Sequence, residues 1–218
     1  MNTFSAKNLI CVRGERTVFT GLDFTLEAGG TLVLIGPNGS GKSSLLRLMA
    51  GLLKPASGSL KWGEEEISED PEGHGGRLHY VGHHDAVKPV LNVSENVYFW
   101  ASLMNGSAGT GEATTAALNT FGISHLGDIP GRFLSAGQKR RVNLARILAA
   151  PAPLWLLDEP TTALDKETTT GLEATISRHR AGGGMVVIST HSDIELADHQ
   201  VIDLAGFSDT RPDLVRTL

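Results

Sequence analysis

The sequence contains a single cysteine, Cys11, among its 218 residues. One cysteine excludes an internal disulfide and any metal site built only from cysteines, and it suits a reducing compartment. We therefore expect no disulfide partner, and we expect Cys11 to be a small buried apolar side chain.

Long hydrophobic runs and an excess of basic residues are also missing. The strongest apolar stretches, TLVLIG, LWLLD and MVVIST, are far shorter than the roughly 20 residues that span a bilayer. The first residues, MNTFSAKNLI, lack the basic start and apolar core of a signal peptide. The formal net charge is −5, so the chain lacks the excess of basic residues that general nucleic-acid binders carry. We expect a soluble chain that binds no nucleic acid and reaches a membrane only through a partner.

Short β-branched and leucine-rich runs alternate with longer helical patterns along most of the chain, which predicts an α/β fold with a mostly parallel sheet. The stretch TVFTGLDFTLEAGG alternates instead, as an N-terminal antiparallel edge sheet does. In the middle of the chain helical signals replace strand signals, with Ser94 as an expected N-cap. We predict one domain over residues 1–218, in which a core lobe, 1–84 and 151–218, carries an inserted helical lobe, 85–150.

The stretch GPNGSGKS lies between a buried run, TLVLIG, and a helical pattern, KSSLLRLMAGLL. It matches G-x-x-x-x-G-K-[ST], a loop whose glycines let the backbone N–H groups face nucleotide phosphates. Lys42 is expected to reach the β- and γ-phosphates, and Ser43 to offer its hydroxyl to Mg²⁺. The predicted phosphate loop comprises Gly36, Pro37, Asn38, Gly39, Ser40, Gly41, Lys42, Ser43 and Ser44.

The stretch LWLLDEP is a buried strand that ends in two acidic residues, Asp158 and Glu159. They are expected at the carboxyl edge of the sheet, where ligands bind in such folds. A lone Asp-Glu pair after a strand is more often part of a solvated loop, but the phosphate loop in the same chain favours a catalytic site. We expect Asp158 to hold Mg²⁺ through water and Glu159 to polarise the attacking water as the base.

A second candidate anion site lies in FLSAGQKRRVNLAR, where Ser135, Ala136 and Gly137 open a predicted helix. The unpaired N–H groups and the positive dipole end of a helix start suit an anion. The alternative is that LSAGQ only caps the helix. Because the chain already has a phosphate loop, the ligand of this second site needs a separate explanation.

Together, GPNGSGKS, LSAGQ, LWLLDEP, TTALD and STHSD resemble the ATP-binding-cassette family in content and order, over nearly the whole chain. The resemblance implies a P-loop NTPase core with an inserted helical subdomain, an ATPase activity, and ATP with Mg²⁺ in the site. It also implies a homodimer of cassettes paired head to tail in the ATP-bound state. Ser135, Gly137 and Gln138 would then hold the γ-phosphate of the partner's ATP.

The same resemblance assigns roles elsewhere in the chain. It implies that Lys42, Glu159 and His191 are catalytic, with His191 on the γ-phosphate, and that Asp165 communicates across the dimer.

Two positions depart from the family pattern. Where the family usually has a glutamine that touches metal and water, YVGHHDAVKP offers His83 and His84, and we favour His83 because it directly follows the strand. A neutral imidazole accepts such contacts with a different geometry. The aromatic residue that usually stacks on adenine is missing, and Arg13 stands nearest its place. A guanidinium can also stack on a base.

Longer stretches narrow the resemblance: CVRGERTVFTGLDFTL, YVGHHDAVKP, SENVYFW, RFLSAGQKRRVNLARIL and APLWLLDEPTTALD. They look like the ATP-binding subunits of the bacterial cytochrome c maturation system, the haem exporter. This implies integral membrane subunits of that complex as partners and a peripheral position on the cytoplasmic face of the inner membrane. The alternatives are a cassette of another transporter, for a metabolite or drug, and a soluble cassette ATPase that acts on ribosomes or DNA.

Overall fold

A computed structural model describes residues 3–105, 110–190 and 195–207 of the chain. Within these ranges the strands are β1 (Thr3–Arg13), β2 (Arg16–Glu27), β3 (Thr31–Ile35), β4 (Ser57–Trp62), β5 (Glu65–Glu66), β6 (Leu78–Val81), β7 (Leu154–Asp158), β8 (Met185–Ser189) and β9 (Gln200–Asp203). The helices are α1 (Lys42–Met49), α2 (Pro71–Gly76), α3 (Val93–Asn105), α4 (Thr110–Thr120), α5 (Ala136–Ala149) and α6 (Lys166–Ala181).

The central sheet is parallel throughout, with the strand order β6-β7-β8-β3-β9. Every residue of β7 and β8 is buried. Both strands are nearly continuous apolar runs, as expected for strands of a parallel sheet that is covered on both faces. The parallel strands end at one edge, where β3 leads into the phosphate loop and β7 ends in Asp158.

A second sheet is antiparallel, with the order β2-β1-β4-β5. The buried and exposed residues of β2 alternate along most of the strand, as expected for a sheet with one face on the core. Phe4 packs against Phe24 and Trp62, with ring centroids 5.7 and 5.9 Å apart. Cys11 is buried in this sheet, as predicted, and burial raises the pKa of its thiol.

The parallel sheet separates two hydrophobic clusters. Leu156 points to the cluster that contains α1 and the antiparallel sheet. Its neighbour Leu157 points to the other cluster, which contains Val97 of α3 and Ile147 of α5. Successive residues of one strand face opposite sides of the sheet, so β7 helps to build both cores.

Between residues 85 and 150 the described backbone is helical apart from turns and one isolated bridge, Asn92 to Pro130. The N-cap prediction at Ser94 was wrong, because α3 begins one residue earlier, at Val93. Asn92 is the capping residue: the Glu95 N–H donates to its side chain at 2.8 Å, and its own N–H donates to the Glu95 carboxylate at 2.8 Å. This reciprocal capping box needs a Glu or Gln three residues after the cap, and Glu95 at that spacing is the signal that selects Asn92.

None of the helices in the described ranges is both long enough and apolar enough to cross a lipid bilayer.

Candidate active site

A cavity of about 670 Å³ opens at the carboxyl edge of the parallel sheet. Four segments line it: the phosphate loop with the start of α1, the loop after β6, the end of β7 with the turn that follows it, and the hairpin of β1 and β2. Of the predicted site residues it brings together Asn38, Gly39, Gly41, Lys42, Ser43, Ser44, His83, Asp158 and Glu159. Arg13, Arg16 and Val18 line the part of the wall that belongs to the hairpin.

The phosphate loop requires glycine at position 41, just before α1 begins. Gly41 has a φ of 104°, a left-handed conformation that residues with a side chain rarely adopt. A Cβ atom there would also lie 2.6 Å from Cγ1 of Val18. The loop therefore fits closely against β2 just before α1 begins.

Lys42 is the first residue of α1 and is 7% exposed. Its ammonium group donates to the carbonyl oxygens of Gly36 at 2.8 Å and Pro37 at 3.3 Å. The loop closes on itself through a bond from the Ser40 N–H to the Pro37 carbonyl at 3.1 Å. Gly36, Pro37 and Ser40 thus shape the loop and position Lys42, although they do not line the cavity.

Asp158 ends β7 and is 1% exposed. Its Oδ1 atom accepts a hydrogen bond from the Ser189 hydroxyl at 2.6 Å. Its Oδ2 atom is buried and has no hydrogen-bond partner among the residues that the structure describes. A buried carboxylate oxygen without a donor is unfavourable, so this atom suits a cation.

The oxygen donors at this point fit Mg²⁺. The Asp158 carboxylate and the Ser43 hydroxyl offer oxygen atoms, the kind of ligand that Mg²⁺ prefers, and both residues line the cavity. Within the described ranges there is no group of three or more His, Cys, Asp or Glu residues that could hold a metal ion. A cation here would take most of its ligands from phosphate and water, as Mg²⁺ does in nucleotide sites.

Glu159 leaves the strand in a left-handed conformation, with a φ of 50°. Such a conformation costs a residue with a side chain about 1–3 kcal/mol, so the surrounding structure must hold it. The Glu159 N–H donates to the carbonyl of Ser189 at 3.0 Å and to its hydroxyl at 3.2 Å. The turn places Glu159 on the cavity wall beside Asp158.

Ser189 was not among the predicted site residues. It is fully buried at the end of β8 and bonds to both acidic residues. The sequence signal was available: a serine that ends a buried apolar strand lies at the same sheet edge as the end of β7. The sequence does not show that the hydroxyl of Ser189 bonds to Asp158, which lies 31 positions away.

The two candidate histidines differ in position. His83 lines the cavity, whereas His84 is not among the lining residues. Their rings contact each other edge to face, with centroids 5.5 Å apart. Of the two imidazoles, His83 is therefore the one at the candidate site.

The start of α5 is capped by its own side chains. The Ser135 hydroxyl accepts from the Gln138 N–H at 3.3 Å, and the Ser135 N–H donates to the Gln138 side chain at 2.8 Å. A Cβ atom on Gly137 would lie 2.8 Å from the carbonyl oxygen of Ala163, so this glycine also permits a close approach within the chain. Neither Ser135, Gly137 nor Gln138 lines the cavity that holds Lys42.

Asp165 caps α6, accepting from the Thr168 N–H at 2.8 Å, and forms an ion pair with Arg141 of α5. The hydrogen bonds from Thr168, aided by Arg141, lower the pKa of the Asp165 carboxyl. Asp165 lies outside the cavity wall. The remaining predicted residue, His191, lies outside the described residues.

The sequence pattern of the ABC transporter family matches residues 19–162, which is well over half of the chain. The chain belongs to the ABC transporter family. The predicted fold class, an ABC ATPase cassette, is confirmed, and the protein is an ABC-type ATPase subunit that binds ATP.

Relatives narrow this assignment. The ABC cassette is 64% identical over 208 residues to the cytochrome c biogenesis ATP-binding export protein CcmA of Paramagnetospirillum magneticum, across 95% of this chain and 96% of that one. It is 61% identical over 206 residues to the CcmA protein of Rhodospirillum rubrum, across 94% of this chain and 87% of that one. The predicted resemblance to this group of ABC subunits is confirmed.

Solved structures show the same cassette fold. A Pyrococcus furiosus protein described as an ABC transporter ATP-binding protein aligns with a TM-score of 0.82 at 25% identity, covering 95% of this chain and 100% of that one. The ATP-binding subunit of another ABC transporter aligns with a TM-score of 0.79 at 23% identity, covering 86% of this chain and 79% of that one.

Proposed function

We propose that the chain is the ATP-hydrolysing subunit of an export complex for cytochrome c biogenesis, the haem exporter of cytochrome c maturation. The observation that carries this proposal is the 64% identity, over 95% of the chain, with a protein of that name. The partners would be integral membrane subunits of the complex, and the chain would bind them at the cytoplasmic face of the bacterial inner membrane.

The cavity supports ATP hydrolysis by the chain's own groups. The N–H groups of the phosphate loop and the Lys42 ammonium group would bind the β- and γ-phosphates. Ser43 and Asp158 would hold Mg²⁺, which when bound neutralises charge on the phosphate oxygens. Glu159 would accept a proton from the attacking water, and His83 would orient that water.

The base of the nucleotide would lie at the hairpin end of the cavity. Arg13, Arg16 and Val18 form this wall, and a guanidinium plane can stack on a purine. We therefore assign base contact to Arg13, where the family usually has an aromatic residue.

Completion of the site would require a second copy of the chain. The capped start of α5 lies outside the chain's own cavity, and its N–H groups suit an anion. In a head-to-tail homodimer, Ser135, Gly137 and Gln138 would contact the γ-phosphate of the partner's ATP. Asp165 would communicate across the dimer, and His191 would contact the γ-phosphate. Contacts made only in the closed dimer would favour closure, and loss of phosphate would remove them. To shift the dimer almost completely from open to closed, ATP must bind the closed form more tightly than the open form by about 5.5 kcal/mol.

A division into two lobes follows from this arrangement. The core lobe, residues 1–84 and 151–218, would hold the nucleotide, and the helical lobe, residues 85–150, would present the start of α5 to the partner.

Affinity purification from native membranes tests the assignment of the complex. The tagged chain is solubilised in mild detergent, and the co-purifying proteins are identified by mass spectrometry. We expect membrane subunits of the cytochrome c maturation system. Recovery of an unrelated permease would keep the ATPase chemistry and overturn the export assignment, and recovery of ribosomal proteins alone would overturn the transporter role.

A further inference from the structure

Arg140 is a buried arginine that the proposed chemistry does not use. It lies on α5, five residues after the N-cap Ser135, and is 3% exposed. Its guanidinium group donates five hydrogen bonds, to backbone carbonyls and to one carboxylate. The acceptors are the carbonyls of Gly82 at 2.9 Å, Asp158 at 2.7 Å, Glu159 at 2.6 Å and Pro160 at 3.2 Å, and the Asp85 Oδ1 atom at 3.2 Å.

Three of these acceptors are consecutive carbonyls at the end of β7. They flank Glu159, whose left-handed backbone conformation is unfavourable without support. Hydrogen bonds from a charged donor are roughly twice as strong as those between neutral groups. Arg140 therefore helps Ser189 to keep the Glu159 turn in place.

The other two acceptors lie in the loop after β6. Gly82 and Asp85 flank His83, which lines the cavity. The same face of α5 makes further bonds to this region: the Asn143 amide donates to Asp85 at 3.2 Å, and Arg146 donates to the carbonyl of Tyr80. One guanidinium group thus joins the two loops that bring Glu159 and His83 to the cavity.

We propose that Arg140 is a positioning residue for ATP hydrolysis, which fixes Glu159 and His83 relative to each other and attaches both to α5. This inference rests on the proposed role of Glu159. Arg140 is buried behind the cavity and does not line it, so it acts through these two residues and leaves nucleotide binding to the phosphate loop.

The test is the substitution Arg140→Lys, which keeps the charge but removes the planar fork that reaches several carbonyls at once. We expect kcat to fall about 10- to 100-fold, because small displacements of a catalytic group have effects of this size. The KM for ATP and the binding of fluorescent mant-ATP should change by less than about twofold, since the phosphate loop is intact.

Arg180 provides a matched control. Its guanidinium group also bonds to three backbone carbonyls, those of Gly29, Ala197 and Asp198, and none of these residues lines the cavity. Arg180 is only partly buried and makes fewer bonds than Arg140, so Arg180→Lys should lower the melting temperature by a smaller amount and leave kcat unchanged. Equal loss of kcat in both variants would show a general structural effect and overturn the inference, as would a wild-type kcat in Arg140→Lys.

A double-variant cycle separates this inference from the proposed function. Because Arg140 acts partly through Glu159, Arg140→Lys should lower the activity of Glu159→Gln by a smaller factor than that of the wild type, whereas independent effects multiply. Multiplied losses would overturn the inference. Normal turnover in Glu159→Gln alone would instead overturn the proposed base.

Should Arg140→Lys fail to fold, Asp85→Asn tests the same contact from the other side, because it weakens one acceptor of Arg140. It should lower kcat severalfold and leave the KM for ATP unchanged. An unchanged kcat in Asp85→Asn would contradict the proposal.

Discussion

The chemistry of the site depends on single residues whose neighbours come from distant parts of the chain. The phosphate loop and the Asp158–Glu159 pair could be predicted, because their spacing and their place after buried strands are local features. The hydrogen bonds of Ser189 and Arg140 could not be predicted, since they reach residues 31 and up to 58 positions away. Asp158 shows both cases: its position was predicted from a motif, but the hydroxyl that orients it was not.

Glu159→Gln tests the proposed base at this scale. The amide keeps the size of the side chain but cannot accept a proton from water, so we expect turnover to fall at least about 100-fold, within the usual range for general-base catalysis. ATP binding should persist, and an ATP-bound dimer should accumulate, which size-exclusion chromatography in the presence of ATP would detect. Glu64→Gln, in an exposed turn, is the matched control. Turnover close to that control would refute the assigned role.

At the scale of elements, α5 combines a local cap with a proposed contact to another chain. Its start was predicted from three small residues, and the structure adds a capping box between Ser135 and Gln138. The two interpretations weighed for LSAGQ, a helix cap and an anion site, are therefore not exclusive. The start of α3 was predicted less well, because Asn92 and Ser94 are equally good capping residues by type and only Glu95 distinguishes them.

Substitutions that preserve the cap can separate these two roles of α5. Asp and Asn cap helices about as well as Ser, so Ser135→Asp and Ser135→Asn should have similar melting temperatures. The added carboxylate of Ser135→Asp would face the partner's γ-phosphate and repel it. We therefore expect Ser135→Asp to lower ATPase activity about tenfold or more, whereas Ser135→Asn should keep most of the activity.

Mixing experiments then test whether the contact is made between chains. Each heterodimer of a Lys42→Ala chain and a Ser135→Asp chain would contain one intact composite site, whereas each variant alone would contain none. Mixing should therefore restore part of the activity. Equal activity of the Asp and Asn variants, or no recovery on mixing, would contradict the shared site.

At the scale of the whole molecule, the alternation of buried runs and helices predicted the α/β class, but it did not predict the order of the strands. Nothing in the local pattern places β3 between β8 and β9, because neighbours in a parallel sheet are set by crossover connections. The short strand β9 was also missed, since most of its residues are exposed and it lies at the edge of the sheet.

Buried histidines give the fold a pH-dependent stability. Burial lowers the pKa of His79 to about 4 and also lowers the pKa values of His74 and His179. Unfolded histidine titrates near 6.5, so between about pH 6.5 and 4 the unfolded chain binds more protons than the folded chain. The free energy of unfolding should therefore decrease as the pH falls through this window, by about 1.4 kcal/mol for each pKa unit.

Urea unfolding at pH 7, 6 and 5 measures this dependence. His79→Gln should flatten the slope, because it removes the histidine whose pKa burial lowers to about 4, whereas substitution of the exposed His125 by glutamine should not. A slope that His79→Gln leaves unchanged would show that other groups control the acid sensitivity.

The strand order also has a consequence for synthesis on the ribosome. The strand that carries the phosphate loop, β3, pairs with β8 and β9, the last two strands along the described chain. The antiparallel hairpin of β1 and β2 can form as soon as it leaves the exit tunnel, but β3 must wait until Asp203 has emerged. Until then its apolar residues lack their neighbours and depend on other protection from aggregation. Nucleotide binding is therefore a property that the nascent chain acquires only after β9 has left the ribosome.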